Sequence, residues 1–284
     1  MKTHHKEFSV GRMAKVLNVS KSGYYAWLSR SESKQKKEQR RLDVLVKAAF
    51  ETHQGRYGSR KISHYLMQQG HPYSRSRVAS SMQRQGLRSK VRRKFVVTTN
   101  SKHGLKASPN LLNRNFVTSR PNRVWVSDIT YLSTRAGWLY LVVFIDLYSR
   151  RVVGWCVSPS LGHESVLKAL SRAIWQRRPD PGLMIHSDQG VQYCCDGFRK
   201  MLCEHQFVQS MSRRGNCWDN AVAESFFRSL KTEWFYHIDL IDQDHAEREL
   251  FAYIEGFYNN QRLHAYLNYL SPAGFEKLKQ KNAA

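Results

Sequence analysis

The chain has 284 residues, 41% of them hydrophobic, and carries a formal net charge of +24 at pH 7. This length predicts two domains, or one domain with appendages, and the apolar fraction is sufficient for a folded core. A charge of this size is extreme for a globular enzyme, so it argues against function classes that have no polyanionic partner.

The sequence lacks signals for export or membrane insertion. Its first ten residues, MKTHHKEFSV, have no apolar signal-peptide core. The longest apolar run, Trp138 to Ile145, is too short to cross a bilayer. We therefore expect a cytoplasmic protein with no membrane partner.

The cysteines lack the paired spacing of a metal site, and the first hundred residues contain none. Reduced, unpaired thiols are the expected state in a cytoplasmic chain. A zinc site that combines His186 and His205 with these cysteines is the alternative. The five cysteines are Cys156, Cys194, Cys195, Cys203 and Cys217.

Residues 1–40 predict two short helices joined by a turn at Asn18 to Ser20, within GRMAKVLNVSKSGYYAWLSR. This is the outline of a partial helix-turn-helix. The alternative is a helical hairpin with an aromatic core stripe from Tyr24, Tyr25 and Trp27. The following SESKQKKEQR is polar and charged, and it predicts a solvated helix or linker.

Residues 41–95 predict a second, strongly basic helical unit built from LDVLVKAAFETH, GSRKISHYLMQQG and SRSRVASSMQRQG. The first hundred residues hold 23 Lys or Arg against 5 Asp or Glu, a net charge of +18. We expect its basic face to contact DNA phosphates, which supplies backbone affinity and not sequence reading. A merely solubilising surface is the alternative. The apolar face has Ile62, Leu66, Val78 and Met82, and the basic side chains are Arg60, Lys61, Arg75, Arg77, Arg84, Arg92, Arg93 and Lys94.

Residues 96–121 are polar, contain Gly104, Pro109 and Pro121, and predict a linker. Beyond them, VWVSDITYL, WLYLVVFIDLY and RVVGWCVS predict an antiparallel meander. Helix, strand, helix and strand follow in HESVLKALSRAIW, LMIHSD, DGFRKMLCEH and FVQSMS. Residues 122–284 thus predict an α/β fold with a mixed five-stranded sheet and flanking helices.

The segment after SRRGNCWDN predicts another helix, with Asn220 or Asp219 as its cap and Glu224 near its first turn. This helix has an apolar stripe at a spacing of four residues, formed by Phe226, Leu230 and Trp234. A separate polar face at positions i, i+4 and i+7 contains Glu224, Arg228 and Lys231. Residues 243–284 predict one helix and a turn-rich tail.

Three acidic residues stand out from this pattern. Asp128 lies inside a predicted core strand, where Asp is depleted. Asp188 follows a strand end, and Glu224 lies on a helix 35 intervening residues later. Three carboxylates from separate elements are suited to holding a pair of Mg²⁺ ions against a phosphodiester.

Each acid also has an ordinary structural explanation. Asp188 is placed to cap a turn, Glu224 to pair with Arg228, and Asp128 to bond neighbouring backbone amides. Asp146 is a comparison residue near a strand end, and we expect it to bond into the turn that follows. Spacing alone leaves both interpretations open.

The sequence segments around the three acids resemble those of a known protein family. WVSDITY, HSDQGVQY, GNCWDNAVAESFFRSLK and FYNNQRLHAYLNYLSPAGFE resemble bacterial insertion-sequence transposases. More specifically, they resemble the second-reading-frame product of the family designated three, relatives of retroviral integrases. HQGRYGSRKI and SRSRVASSMQRQGL are similar to the helix-turn-helix region that precedes the catalytic core there. The resemblance runs from about residue 40 to the end.

The resemblance implies a ribonuclease-H-like core whose Asp, Asp, 35 residues, Glu signature is matched by Asp128, Asp188 and Glu224. These would be the catalytic metal ligands for Mg²⁺, with two ions expected and Mn²⁺ as a substitute. The family's basic residue seven positions after the Glu is matched by Lys231. The N-terminal zinc module of retroviral integrases does not transfer, since no Cys precedes Cys156.

We expect further DNA contacts next to the acids, from Lys231 and Arg228 on the helix. Arg213, Arg214 and Trp218 in the preceding loop are placed to guide a strand or stack on a base. An ordinary approach to the helix is the alternative for that loop.

The predicted function is that of a DNA transposase, which cleaves double-stranded DNA with metal ions and joins the freed end to a target. Joining two ends implies a homo-oligomer on DNA, and the family implies a first-reading-frame partner protein. Two alternatives remain: a non-catalytic DNA-binding regulator, and a nuclease of the same fold that cuts without joining.

Overall fold

The computed structural model describes residues 1–90, 107–213 and 217–282, with only the backbone of Cys217. The chain forms two compact units, Met1–Arg88 and Ser89–Ala284. Four predicted DNA contacts, Arg92, Arg93, Lys94 and Arg214, lie outside the described residues. Within the described ranges, every helix is too short or too polar to span a membrane.

The first unit begins with two short helices, α1 (Val10–Val16) and α2 (Lys21–Ser29). The turn between them contains Asn18 with a φ of 50°, a left-handed conformation that asparagine tolerates. Tyr25 and Trp27 are 48% and 55% exposed. The two predicted helices and their turn are therefore present, whereas the alternative of an aromatic core stripe is wrong.

Three helices form the rest of this unit: α3 (Lys34–Thr52), α4 (Ser59–Gln68) and α5 (Arg75–Arg84). The charged stretch predicted as a separate helix or linker belongs to α3, because the Ser33 side chain caps the helix there by accepting from the Lys36 N–H. The predicted apolar faces are confirmed. The buried side chains between the three helices are Leu42, Val46, Ile62, Leu66, Val78 and Met82.

Polar side chains tie α3 to α5. Asp43 on α3 accepts hydrogen bonds from the Ser81 hydroxyl at 2.6 Å and from Arg84 at 2.7 Å, both on α5. Tyr73 donates to Glu38 at 2.6 Å just before α5 begins. Arg84 therefore has a structural partner, which distinguishes it from the other arginines of α5.

The second unit contains one five-stranded sheet with the order β3-β2-β1-β4-β5. Strand β1 pairs antiparallel with β2, which pairs antiparallel with β3; β4 and β5 add in parallel on the other side. The mixed sheet and its meander are confirmed. The strands are β1 (Val124–Thr134), β2 (Gly137–Asp146), β3 (Val152–Ser158), β4 (Met184–Ser187) and β5 (Val208–Met211).

Helices pack on this sheet through α6 (His163–Arg177), α7 (Val191–Cys194) and α8 (Asp196–Glu204). The sequence predicted α6 and α8 but not the single turn α7. Gly154 on β3 lets α6 come close, because a Cβ there would overlap the Ala169 carbonyl and the Ala173 side chain. A buried apolar core, which includes Trp125 and Phe198, fills the space between sheet and helices.

The described part of the predicted connection, residues 107–122, contains no helix or strand but is bound to the sheet. Ser108 donates to Gln209 at 2.8 Å, and the Leu111 N–H donates to the Ser210 hydroxyl at 2.9 Å. The Leu112 side chain is buried. This segment therefore acts as an extra layer along the β5 edge.

The chain after the sheet is more helical than predicted. It contains α9 (Ala221–Glu233), α10 (Gln243–Phe251), a π-helix at Ala252–Tyr258 and α11 (Pro272–Lys281). The prediction of one helix and a turn-rich tail from residue 243 is wrong. Pro at the first position and a Ser271 cap, which start α11, are signals the sequence already carried.

A buried ion pair joins the tail to α9. Arg262 donates to both carboxylate oxygens of Glu233 at 2.8 Å and to the Ser229 hydroxyl at 2.9 Å. Tyr253 donates to the same carboxylate at 3.2 Å. Burial acts to lower the pKa of Arg262, but the charge and hydrogen bonds of Glu233 outweigh it and raise that pKa above its usual value. The pair holds the C-terminal end of α9 against the rest of the unit.

Replacing Arg262 by Met should lower the free energy of unfolding of this unit by about 3–5 kcal/mol, because it leaves a buried carboxylate without its guanidinium. Denaturant titration followed by tryptophan fluorescence measures this change. Arg135→Met is the control, since the Arg135–Asp239 pair is exposed and contributes little. A loss in Arg262→Met as small as the roughly 0–1 kcal/mol expected of an exposed pair would show that the buried pair is not important for stability.

Candidate active site

The three acids lie on three neighbouring elements. Asp128 is in the middle of the central strand β1, and Asp188 directly follows the adjacent parallel strand β4. Their register pairs Val126 with His186, so each residue of β1 lies beside the residue 60 positions later. Continuing that register by two residues brings Asp128 and Asp188 side by side. Glu224 is in the first turn of α9, which packs on β1.

The charges of the other two acids act on Asp128. Burial is the largest effect and raises the pKa of Asp128 well above its usual value, and the carboxylates of Asp188 and Glu224 raise it further. The Lys231 ammonium acts in the opposite direction. The fold thus brings the three predicted acids and the predicted lysine close enough to interact electrostatically.

The structural alternatives are realised only in part. Asp128 accepts from the adjacent Ile129 N–H at 2.8 Å, and Asp188 accepts from the Gly190 N–H at 3.0 Å, as the structural alternatives predicted. Across the described residues, no ion pair joins Glu224 to Arg228, so that alternative is wrong. Burial alone raises the pKa of Glu224. Local bonds therefore do not explain why these carboxylates face one another.

Asp146, the comparison acid, is structural as predicted. Its two oxygens accept from the N–H groups of Tyr148 and Asn122, each at 2.9 Å, and from Arg177 at 3.3 Å. Burial raises its pKa, and the two backbone N–H groups oppose that shift. The Asp146 carboxylate is thus satisfied by hydrogen bonds from backbone N–H groups and from Arg177, whereas Asp128 lies beside the carboxylates of Asp188 and Glu224.

A buried tyrosine lies beside the acids. The Tyr193 hydroxyl shares a 2.8 Å hydrogen bond with the hydroxyl of Ser127, the residue before Asp128. Burial, together with the charges of Asp188 and Asp128, raises the pKa of Tyr193 well above its usual value, so the ring stays neutral. No separate sequence signal pointed to Tyr193 beyond its place in HSDQGVQY.

The basic residues of α9 lie on the same side as Glu224. Lys231 is half-buried; burial lowers its pKa, and the Asp128 charge opposes that shift. Arg228 is exposed, one turn after Glu224. Lys231 therefore has a charged neighbour in the cluster, whereas Arg228 faces solvent.

The loop before α9 is held by a buried carboxylate. Asp219 accepts hydrogen bonds from Arg213 and Arg114, each at 2.8 Å, and from Asn110 at 2.9 Å. The Arg213 hydrogen bonds hold the pKa of Asp219 well below its usual range. Arg213, predicted to contact DNA, is thus engaged in a structural ion pair, whereas Trp218 is 69% exposed.

The predicted cap of α9 is also corrected in detail. Asn220 occupies the N-cap position, but its side chain makes no capping hydrogen bond. Asp219, the other predicted cap, uses its carboxylate for the two arginines instead. The polar pair Asp219 and Asn220 in GNCWDN was visible in the sequence, but the sequence favoured a helix cap over an ion pair for these residues.

The zinc alternative is contradicted in the described part of the chain. His186 is buried, and both of its ring nitrogens are used: Nδ1 bonds the Ser210 hydroxyl at 2.8 Å, and Nε2 bonds the Asp219 carbonyl at 3.0 Å. Burial lowers the pKa of His186 to about 4. The described thiols are free, as expected; they are Cys156, Cys194, Cys195 and Cys203.

Metal binding by the acids requires open coordination. Among residues 1–90, 107–213 and 217–282, no three His, Cys, Asp or Glu side chains are arranged to hold one ion. Mg²⁺ tolerates this, because it usually keeps several waters and takes only one or two carboxylates. The raised pKa of Asp128 also fits a cation site, since a bound cation would relieve the repulsion that raises it.

The helical unit presents several of its predicted DNA contacts to solvent. Arg60, Arg75 and Arg77 are exposed, the last two in the first turn of α5. The Arg77 guanidinium lies 5.0 Å from the Tyr73 ring centre, and the Lys61 ammonium lies 4.8 Å from that of Tyr57. The start of α5 is thus a basic, exposed helix end.

Known protein families match both units. Two models described as Integrase core domain match residues 118–217 and 205–272, and the HTH-like domain matches residues 36–95. The chain is 42% identical over 275 residues to "Transposase InsF for insertion sequence IS3A" from Escherichia coli strain K12, which covers 96% of each chain. It is 40% identical over 272 residues to the 31 kDa protein of insertion element IS600 from Shigella sonnei, covering 96% of this chain and all of that one.

Two solved structures of viral proteins match parts of this chain. A chain of the simian T-cell lymphotropic virus intasome covers 82% of this chain and 74% of its own, at 16% identity and a TM-score of 0.47. The HTLV-2 integrase catalytic core in complex with magnesium covers 55% of this chain and 97% of its own, at 15% identity and a TM-score of 0.42.

Replacing Asp128 by Asn should stabilise the protein in the absence of divalent cations, because burial and the other acids penalise the Asp128 charge. We expect a gain of about 1 kcal/mol or more, or roughly 2–4 °C in Tm, measured by thermal unfolding in EDTA. Added Mg²⁺ should raise the Tm of the wild type but not of this variant.

Asp146→Asn is the matched control. An amide NH₂ there would face an N–H donor, so this variant should lose about 1–3 kcal/mol with or without cations. Equal effects from the two substitutions would contradict the assignment of Asp128 to a strained cluster.

Proposed function

Because the chain belongs to the insertion-sequence transposase family that includes InsF, we propose that Asp128, Asp188 and Glu224 are its catalytic residues and hold its metal ions. The protein is a DNA transposase with an integrase-type core, an enzyme of the polynucleotidyl transferase class. Such a core depends on divalent cations. We propose that two ions are bound, and we propose below which residues contact DNA.

One observation carries the proposal. Asp188, which follows β4, and Glu224 and Lys231, which both lie on α9, all act on Asp128 through their charges. A cluster of like charges lowers stability, so its presence indicates a function, and a site for cations and phosphate is a function that such a cluster serves. The comparison acid Asp146 lacks such neighbours of like charge except Glu276, which is itself paired with Arg177.

Asp128, Asp188 and Glu224 would together hold the Mg²⁺ ions, two of which are expected, with Mn²⁺ as a substitute. When bound, two such ions would supply activation of the attacking oxygen and stabilisation of the leaving one.

The reaction consists of two phosphoryl transfers. In the first, a water oxygen forms a bond to a phosphorus at the element end, and the bond to the 3′ oxygen breaks, which frees a 3′-OH. In the second, this hydroxyl forms a bond to a target phosphorus, whose own 3′ oxygen leaves. Each transfer exchanges one P–O bond for another, so joining needs no external energy source.

The basic residues of α9 position the DNA in this mechanism. Lys231 lies against the acid cluster, where its ammonium can bind a phosphate oxygen next to the reacting one. Arg228 would bind the backbone farther along, since it is exposed on the same helix. In the loop, the exposed Trp218 indole would stack on a base, whereas Arg213 would hold the loop through Asp219.

DNA affinity outside the core is assigned to the helical unit. We propose that residues 1–40 and 41–95 bind DNA, 96–121 connect, and 122–284 catalyse. Helix α5 is the candidate for the groove, because Arg75 and Arg77 lie at its exposed N-terminal end. Arg60 and Lys61, at the start of α4, would add backbone contacts.

Joining two element ends requires two DNA ends at once, so we propose that two or more copies assemble on DNA. A first-reading-frame partner protein is expected to supply part of the recognition of the element ends. Sedimentation in the presence of paired DNA ends measures the number of protein copies in the complex. A strict monomer on such DNA would contradict the proposed assembly.

Replacing Glu224 by Gln should abolish both cleavage and joining, by at least about 1,000-fold or 4 kcal/mol of barrier. The assay uses Mg²⁺ and duplex DNA carrying the ends that flank the coding region, either intact or pre-cut with a 3′-OH. Glu204→Gln, an exposed glutamate on α8, is the control and should retain full activity. A wild type that cuts but never joins the pre-cut end would be a nuclease, and an active Glu224→Gln would remove the proposed site.

The double variant Arg75→Ala, Arg77→Ala should weaken DNA binding and reduce the slope of log affinity against log salt by about 2, since each phosphate contact contributes about 0.9. Fluorescence anisotropy at several salt concentrations measures this slope. Arg84→Ala on the same helix is the control, because Arg84 is paired with Asp43. The assignment of α5 fails if the control changes the slope equally.

A further inference from the structure

The turn Asp219–Asn220 connects the three elements that carry the acids. It ends the 3₁₀-helix Cys217–Asn220 and leads directly into α9. Both side chains are buried, Asp219 fully and Asn220 with 5% exposed. Buried polar groups need a structural reason, and the partners of the Asp219 carboxylate and of the Asn220 side-chain N–H supply it, whereas Asn220 Oδ1 is buried without a hydrogen bond.

Asn220 binds the backbone of β1 beside the first acid. Its side-chain amide donates to the Ser127 carbonyl at 3.0 Å, and Ser127 immediately precedes Asp128. Asn220 is also the N-cap residue of α9, four positions before Glu224. A single residue thus connects the strand that carries Asp128 to the helix turn that carries Glu224.

Asp219 binds β4 beside the second acid. Its carbonyl accepts from Nε2 of His186, two residues before Asp188, at 3.0 Å. Since a carbonyl can only accept, Nε2 carries the proton and Nδ1 must accept from the Ser210 hydroxyl at 2.8 Å. That hydroxyl in turn accepts from the Leu111 N–H, so the contact is part of an ordered chain of hydrogen bonds.

The carboxylate of Asp219 ties the turn to two arginines. Its oxygens accept from the Arg213 side chain, the Arg213 N–H at 3.0 Å and Arg114 at 2.8 Å. Arg114 belongs to the segment bound along β5. Charge-assisted bonds from two guanidinium groups restrict the turn more than a single neutral bond would.

We propose that Asp219–Asn220 is a positioning element that sets the distance from Glu224 to Asp128 and Asp188, with Asn220 as its decisive residue. This inference rests on the proposed function, because it assumes that the three acids hold the metal ions. The ladder between β1 and β4 already sets the distance between the two aspartates. Helix α9 is outside the ladder, so the amide of Asn220 sets its distance from the sheet.

The required accuracy is high. Two catalytic ions lie about 3.5–4 Å apart, and a displacement of about 1 Å can reduce a rate about 100-fold. A side-chain amide bonded to a strand carbonyl holds the start of α9 at one separation. Without it, Glu224 would keep its chemistry and its helix but would bind its ion less tightly.

The test is Asn220→Ser. Serine is a good N-cap residue, so α9 keeps its start, but its short hydroxyl cannot replace the amide at the Ser127 carbonyl. We expect the Mg²⁺ concentration for half-maximal DNA cleavage to rise about 10–100-fold, as for supporting residues of metal sites, while the KM for DNA stays within about twofold. Asn220→Ala should behave in the same direction.

Asn259→Ala is the matched control. Asn259 is also a buried asparagine whose side chain binds a strand backbone: it donates to the Val152 carbonyl and accepts from the Val152 N–H, each at 3.0 Å. Its loss should destabilise the unit to a similar degree, read from denaturant unfolding, but should not change the Mg²⁺ dependence. A merely structural role for Asn220 predicts the same unchanged Mg²⁺ dependence.

Calorimetric titration with Mg²⁺ in the absence of DNA gives the second measurement. Weaker Mg²⁺ binding by Asn220→Ser than by Asn259→Ala supports the positioning role, and equal binding overturns it. Full cleavage activity of Asp128→Asn would instead overturn the proposed function itself. The two failures are therefore distinguishable.

Discussion

Repulsion between carboxylates is the constraint on which this structure depends. Two bare carboxylates about 4 Å apart repel by roughly 4 kcal/mol at an effective dielectric near 20. Here Asp188 and Glu224 both act on the half-buried Asp128, and Lys231 only partly compensates. Such a cluster requires a surrounding fold that holds the acids in place, and under the proposed function bound cations would offset their repulsion.

The fold meets this demand with three kinds of restraint. The parallel ladder between β1 and β4 holds the two aspartates on neighbouring strands. The Asp219–Asn220 turn connects both strands to the start of α9, and the buried Arg262–Glu233 pair holds the other end of that helix. Helix α9 is thus restrained at both ends, by the Asn220 amide near Glu224 and by the Arg262–Glu233 ion pair far from it.

The charge of the chain is divided to match this arrangement. The first hundred residues carry a net charge of +18, and the remainder, with most of the acids, carries +6. The positive charge is therefore concentrated in the first hundred residues and most of the carboxylates lie in the remainder. Several arginines within the second unit, including Arg177 and Arg262, serve buried ion pairs and do not contribute to a basic surface. Net charge alone would overestimate the DNA-binding surface of the core.

The sequence by itself determined the five strands, the helices α6, α8 and α9, and which acids to consider as the candidate site. Alternation in VWVSDITYL and helical spacing in α9 are local patterns, so β1, the meander and the Phe226, Leu230 and Trp234 stripe followed directly from them. Tertiary structure alone decided which polar groups meet. Asp219 binds two arginines instead of capping its helix, and Arg262 reaches a glutamate 29 residues away. These pairings depend on how strands and helices pack, because a side chain with several possible partners bonds to the one that burial brings within reach.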